Sequence, residues 1–409
     1  MTAKVTPCVA IFPWGDVVED FLDPIGLDVE GFAERMTGGW LFGYVAALQT
    51  AGWRPIIVCA SRSCATPRRL VHAGTGAAIW LVPGASVQEG RSPSLFSLRR
   101  WMATPTRAFG RVLDEEACDA ILVQEYEYTR FDQLVRLARA RRIPAFASFQ
   151  GGDRTLSPVE QLVRSSSLRL AAGLIVASSA ERTRLKTAYP ALRVPIIDIP
   201  NPLDTAEWRR MDKGEARRQL GIDSDTFLAI NHGRISIGRK GLDVLLQAWS
   251  RCPRGKLMII GSGEDDDAFA KLLEAAPTSI EWVRGYSTDR GLMRARLSAA
   301  DVYVTASRIE GMPVAPLEAM ACGLPIVATD AQGLPDILAD GEASGGLIVP
   351  KDDPSQLAAA INRLESDVAL RDRLGQAARR RVESHFSVPA VGRTLGELLR
   401  FPASRSGPA

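Results

Sequence analysis

The chain has little from which to build a metal or disulfide centre. Its three histidines, His72, His232 and His385, stand far apart, so no His-rich ligand set is expected. Its six cysteines (Cys8, Cys59, Cys64, Cys118, Cys252 and Cys322) include no C-x-x-C pair. That spacing predicts reduced thiols filling core space in a cytoplasmic protein. No run of about twenty apolar residues occurs, which excludes a spanning helix, and the first residues lack the basic and apolar stretches of a signal peptide. A net charge of only +3 gives no reason to expect nucleic acid as the main ligand.

What is there is an ordinary globular composition, 46% hydrophobic and 24% charged, over 409 residues. That length exceeds what one core usually serves, so two domains are expected. Short apolar runs alternate with amphipathic stretches. The first series of strands reads Cys8–Phe12, Pro55–Cys59, Ala120–Val123, Ala145–Ser148, Leu174–Val176 and Pro195–Asp198. The second reads Phe227–Asn231, Lys256–Ile260, Ile280–Val283, Val302–Thr305, Pro325–Ala328 and Gly346–Val349. Helical patterns at Tyr44–Thr50, Asp132–Arg141, Leu242–Trp249 and Leu357–Leu364 fall between them. This alternation predicts an α/β fold with mostly parallel sheets covered by helices, the strands buried on both faces. The prolines of Pro200-Asn201-Pro202-Leu203-Asp204 mark the linker. The expected domains are 1–200 and 201–388, with a helix and tail over 389–409.

Two segments of the second half carry chemistry. Glu310-Gly311-Met312-Pro313-Val314-Ala315-Pro316-Leu317-Glu318 sets two carboxylates around a Gly/Pro loop that enters a helix. Pro316 suits a first helical turn, where its missing N–H costs nothing. Such a helix start offers N–H groups, here those of Val314 and Leu317, toward a phosphate or sugar. Upstream, Gly233-Arg234-Ile235-Ser236-Ile237-Gly238-Arg239-Lys240-Gly241 places two fixed cations around a Gly-rich turn. Carboxylates suit sugar hydroxyls and Arg/Lys suit phosphates, so together they point to a nucleotide sugar.

Taken in order with Ile259–Gly263, Ala300-Asp301-Val302, Ala319–Pro325 and Leu347–Pro350, these segments resemble the retaining glycosyltransferases of the GT4 type, with a GT-B fold. The match covers nearly all of the C-terminal half. It is thinner before it, at Gly38-Gly39 and Asn201–Asp204. The resemblance implies two Rossmann-like domains whose sheets face an interdomain cleft. A last helix, Val391–Leu399, would cross back to the first domain. It implies transfer of a sugar from a nucleoside-diphosphate sugar, as substrate rather than cofactor, with retention and without metal. Arg234 and Lys240 would hold the diphosphate, Glu310 the donor-sugar hydroxyls and Glu318 the ribose diol. Gly311, Met312, Val314 and Leu317 would line the donor, and Gly38 and Gly39 would approach it from the first domain. Acceptor binding would fall to the first domain, the acceptor being a saccharide, a lipid-linked compound or a small molecule.

Other features are read beside this one. The family often has a histidine where this chain has Gln150, which can hydrogen-bond but cannot titrate near neutrality. Glu125-Tyr126 and Glu127-Tyr128 follow a strand and are acceptor-site candidates, with an exposed loop as the plainer reading. Gly261-Ser262-Gly263 lacks the third glycine of a dinucleotide fingerprint. Asp265-Asp266-Asp267 reads as the acidic first turn of a helix, not a metal site. Leu95–Arg111 mixes bulky apolar and basic residues, as a core-facing helix with a basic edge or a segment resting on a membrane surface. The rival functions are a sugar-nucleotide epimerase and a non-catalytic nucleotide-sugar binder.

Overall fold

A computed structural model describes residues 6–36, 39–87, 93–149, 156–252, 254–285 and 289–400, with backbone only at 39–40 and 93–96. The chain divides into two compact units. Unit 1 is residues 1–202 with 388–409, and unit 2 is residues 203–387.

Unit 1 is built on an eight-stranded sheet. Its strands are β1 (Cys8–Phe12), β2 (Arg54–Ser61), β3 (Arg68–Val71), β4 (Ala78–Pro83), β5 (Cys118–Gln124), β6 (Ala145–Ser148), β7 (Gly173–Val176) and β8 (Ile196–Asp198), in the order β3-β4-β2-β1-β5-β6-β7-β8. Unit 2 has six strands: β9 (Leu228–His232), β10 (Lys256–Gly261), β11 (Ile280–Arg284), β12 (Val302–Thr305), β13 (Ile326–Thr329) and β14 (Gly346–Val349), in the order β11-β10-β9-β12-β13-β14. All pairings are parallel except β3 with β4. The central strands are buried on both faces and need no polar alternation; in β10, Leu257-Met258-Ile259-Ile260 are all buried. The strands expected from the sequence are present with ends shifted by at most two residues. Two were not anticipated: β4, and the exposed, basic edge strand β3 that pairs with it antiparallel.

The helix Val388–Arg400 returns to unit 1 and packs on the helix Gly39–Thr50. Small residues let the two backbones approach: a Cβ at Gly392 would lie 2.5 Å from the carbonyl oxygen of Ala47. All six cysteines are free thiols, and only Cys252 is not fully buried.

Both sheets contain a point where the chain order reverses, the place where open α/β sheets leave a crevice at the carboxyl ends of their strands. In unit 1 it lies between β1 and β5, and in unit 2 between β9 and β12.

Candidate functional site

In unit 2 the reversal brings His232-Gly233-Arg234, at the end of β9, beside Ala306-Ser307, at the end of β12. The loop after β9 is held by its own backbone. Gly233 N–H donates to Ile260 O (3.0 Å), Ile235 N–H to Ser262 O (3.2 Å) and Ile237 N–H to Asp265 Oδ2 (2.7 Å). The buried Ile235 side chain pins its middle. A short helix, Ile237–Lys240, then ends at Gly241 in the left-handed region (φ 58). A Cβ at Gly241 would stand 2.0 Å from Ala306 O, so only glycine brings Lys240 this close to the end of β12.

Arg308 clips the two loops together. Its guanidinium is bidentate to Asp243 at 2.8 Å on each oxygen, and its backbone N–H donates to Arg239 O at 2.8 Å. That bidentate bond holds the Asp243 carboxyl below its usual range. The sequence reading missed Arg308, because nothing in its local pattern announces a partner 65 residues away.

Lys240 Nζ donates to Glu310 Oε1 at 2.6 Å, and Ser307 Oγ donates to the same oxygen at 2.6 Å. The Glu310 side chain is only 9% exposed against 30% for Lys240, so the lysine covers the carboxylate from the solvent side. Thr329 Oγ1 fixes the backbone here by donating to Ser307 O at 2.5 Å. Arg234 stands exposed on the loop after β9. Near it, the Glu264 carboxyl is lowered by its own backbone N–H, by the Ser236 hydroxyl and by the charges of Arg234 and Arg239.

The helix Val314–Ala321 starts from Pro313 (φ −69, ψ 133). Pro316 sits in its first turn, so the N–H groups directed out of its end are those of Val314 and Ala315. Leu317, expected to offer its N–H, is the fourth helical residue. Its side chain is fully buried. Met312 is buried, and Gly311 packs its carbonyl oxygen 1.9 Å from where a Cβ of Gly333 would be. One turn into the helix, Glu318 Oε2 lies 2.8 Å from His232 Nε2. Unit 2 therefore assembles Lys240 with Glu310, and Glu318 with His232, at one sheet crevice. His232 is the second residue that sequence reasoning did not assign to the site.

The three aspartates 265–267 are placed as expected, at the start of the helix Asp266–Glu274. Asp266 accepts from Ser262, from Gly263 N–H (2.8 Å) and from Arg284 (3.0 Å), so its carboxylate serves the loop itself.

Unit 1 treats its crevice differently. Glu125, Tyr126 and Glu127 are buried, not an exposed loop. Tyr126 OH donates to Glu181, and Arg184 binds Glu181 (2.6 and 2.7 Å) and Glu127 (2.6 Å) while lying over the Phe149 ring. Burial raises the Glu127 carboxyl above its ordinary value. Only Tyr128 of the four is partly exposed, its ring covered by Arg100 at 4.6 Å. Deeper, Arg164 and Asp132 form a bidentate pair at 3.1 Å with each side chain 1% exposed, and Trp101 Nε1 also donates to Asp132. The segment Leu95–Arg111 forms parts of the helices Pro93–Ala103 and Thr106–Glu115. Its Arg100 is tied to Asp16 at 2.8 Å, while Leu98 and Met102 are exposed. An open cavity of about 360 Å³ beside Leu162, Arg169, Tyr189 and Leu192 gathers none of the expected site residues. Gly39 opens its helix, whereas Gly38 and Gln150 lie outside the described residues.

Two mostly parallel α/β units, each with a strand-order reversal, define an architecture of the GT-B kind. The family model for glycosyl transferases group 1 matches residues 212–381, and that for glycosyltransferase family 4 matches residues 41–207. The chain belongs to this family of GT-B glycosyltransferases. It is 32% identical over 254 residues to alpha-maltose-1-phosphate synthase of Mycobacterium tuberculosis, 58% of this chain and 64% of that one. Over 200 residues it is 28% identical to a GDP-mannose-dependent phosphatidylinositol monomannoside mannosyltransferase of Corynebacterium glutamicum, 46% of this chain and 51% of that one. The matched region thus spans less than two thirds of these relatives. Among solved structures, the sucrose-phosphate synthase of Thermosynechococcus elongatus superposes with a TM-score of 0.74 at 21% identity, covering 96% of this chain and 98% of that one. The Anabaena protein HepE, solved with UDP, gives 0.70 at 17%, covering 96% and 99%. At these identities the structural likeness concerns the fold. Among the described residues no helix is long and apolar enough to cross a membrane.

Proposed function

We propose that the protein transfers a sugar from a nucleoside-diphosphate sugar to an acceptor with retention of anomeric configuration and without a metal ion. The Lys240–Glu310 pair carries the reading. A lysine bound at 2.6 Å to a nearly buried glutamate beside a helix start is a latent phosphate site, because an arriving diphosphate can take over the lysine. Glu310 is then released to accept hydrogen bonds from the donor sugar. As the bond from the anomeric carbon to the diphosphate breaks, charge grows on the leaving oxygens. Arg234, Lys240 and the N–H groups of Val314 and Ala315 strengthen their hold on it at that moment. The proton of the attacking hydroxyl goes to the departing phosphate, so no titrating side chain is needed at position 150. Glu318 takes the ribose diol, Gly311 and Met312 shape the donor side, and unit 1 binds the acceptor. The relatives' names span different acceptors, and none is assigned here. A peripheral membrane contact at Leu95–Arg111 belongs to the same proposal.

The test incubates the protein with UDP-, GDP- and ADP-sugars and a panel of sugar, polyol and lipid acceptors in chelator, with the new linkage read by NMR. An axial donor giving an axial product supports the reading. Inverted product, a metal requirement, or free epimerised nucleotide sugar without acceptor overturns it.

A further inference from the structure

Strand β9 ends in a histidine held on three sides. The His232 ring meets Tyr303 edge-on, centroids 5.4 Å apart at 81°. The Tyr303 hydroxyl donates to the His232 backbone carbonyl at 3.2 Å. His232 Nε2 lies 2.8 Å from Glu318 Oε2, with the two side chains 9% and 19% exposed. His232 Nδ1 is buried with no hydrogen-bond partner among the described residues. A buried bare lone pair is tolerated better than a buried unpartnered N–H. With Nδ1 bare, the hydrogen on Nε2 is the one donated to the Glu318 carboxylate. Histidine here is an orienting group, since its other nitrogen is closed off from any ligand.

We propose that His232 is a positioning residue. It locks one oxygen of Glu318 and so presents the other to the vicinal diol of the donor's ribose, which makes the site prefer ribo- over 2′-deoxyribonucleotides. This rests on the ribose role given to Glu318 above. A glutamate on a helix surface has several rotamers of similar energy. A diol needs its acceptor already aimed, and the bond from an immobile imidazole selects one rotamer before the ligand arrives. The preference follows because a site built around a hydroxyl penalises the analogue that lacks it.

Two near-isosteric variants separate orientation from packing. The His232→Gln amide nitrogen reaches the place of Nε2, and the His232→Asn amide reaches only that of Nδ1. Affinities of wild type and both variants are measured by calorimetry for UDP, GDP and ADP and for their 2′-deoxy forms, with thermal melts as folding controls. Wild type should favour the best-bound ribonucleotide over its deoxy form by about tenfold or more. His232→Asn should lose most of that ratio, with deoxy affinity changed less than about threefold, and His232→Gln should retain it. A ratio unchanged in His232→Asn, or lost equally in both variants, overturns the positioning role while leaving the ribose reading intact. A wild-type protein that binds ribo and deoxy forms alike overturns the ribose reading and the positioning role with it.

Discussion

The two units end their strands in the same topology but use the ends differently. In unit 2 each pair at the reversal joins a partly exposed side chain to a nearly buried one, Lys240 at 30% with Glu310 at 9% and Glu318 at 19% with His232 at 9%. In unit 1 the innermost pair is sealed. Asp132 and Arg164 are each 1% exposed, while Arg184, 41% exposed, covers the buried Glu127 and Glu181 from the surface. A half-exposed pair can exchange its partner for a ligand, whereas a buried pair cannot without leaving a charge uncompensated. Under the proposed function, the same residue types therefore serve a ligand in unit 2 and, at Asp132 and Arg164, a structural tie in unit 1.

The largest effect should fall on unit 1. Asp132→Ala leaves the buried Arg164 without its partner and removes the acceptor of Trp101. It should cost roughly 3–5 kcal/mol in a denaturant melt, and a loss under about 1 kcal/mol would show the pair to be replaceable. In unit 2, Lys240→Ala should lower turnover by roughly a hundredfold or more with a much smaller loss of stability, because its partner Glu310 keeps the Ser307 hydroxyl and some access to water. Near-normal kcat would break the distinction. Glu318→Ala should weaken nucleoside diphosphate binding by roughly tenfold, read by calorimetry.

The smallest effect concerns Glu127. Burial raises its carboxyl from an ordinary value of 4.5, so the folded state binds its proton more readily than the unfolded chain. Its contribution to stability is full below the ordinary value and is lost as pH rises through the raised one. Glu127→Gln should therefore show a flatter melting temperature than wild type between about pH 4 and pH 8. Parallel pH profiles would mean that Arg184 cancels the burial.

The comparison also explains what was legible. Strands buried on both faces announce themselves as apolar runs, so β10, β12, β13 and most of the first sheet could be read directly. The edge strand β3, Arg68-Arg69-Leu70-Val71, is exposed and basic, and its pairing is set by the antiparallel return of β4 rather than by its own pattern. Arg234, Lys240, Glu310 and Glu318 stood out because loop, helix start and carboxylates follow one another in sequence. His232 and Arg308 did not, since each acts through a partner 86 or 65 residues away and only the fold brings them together. For Leu317 the sequence showed a helix start but not its first residue; with that start at Val314, its side chain lies in the core.

The central claim is that the loops of unit 2 at residues 232–241 and 307–318 are the nucleotide site. Hydrogen exchange of the intact protein with and without UDP, GDP or ADP, read peptide by peptide, tests it most directly. The account predicts that the nucleotide that binds slows exchange in both of these segments, and that the slowing is lost in Lys240→Ala at the same nucleotide concentration. Protection confined to unit 1, with both segments unchanged at saturating nucleotide, would contradict it.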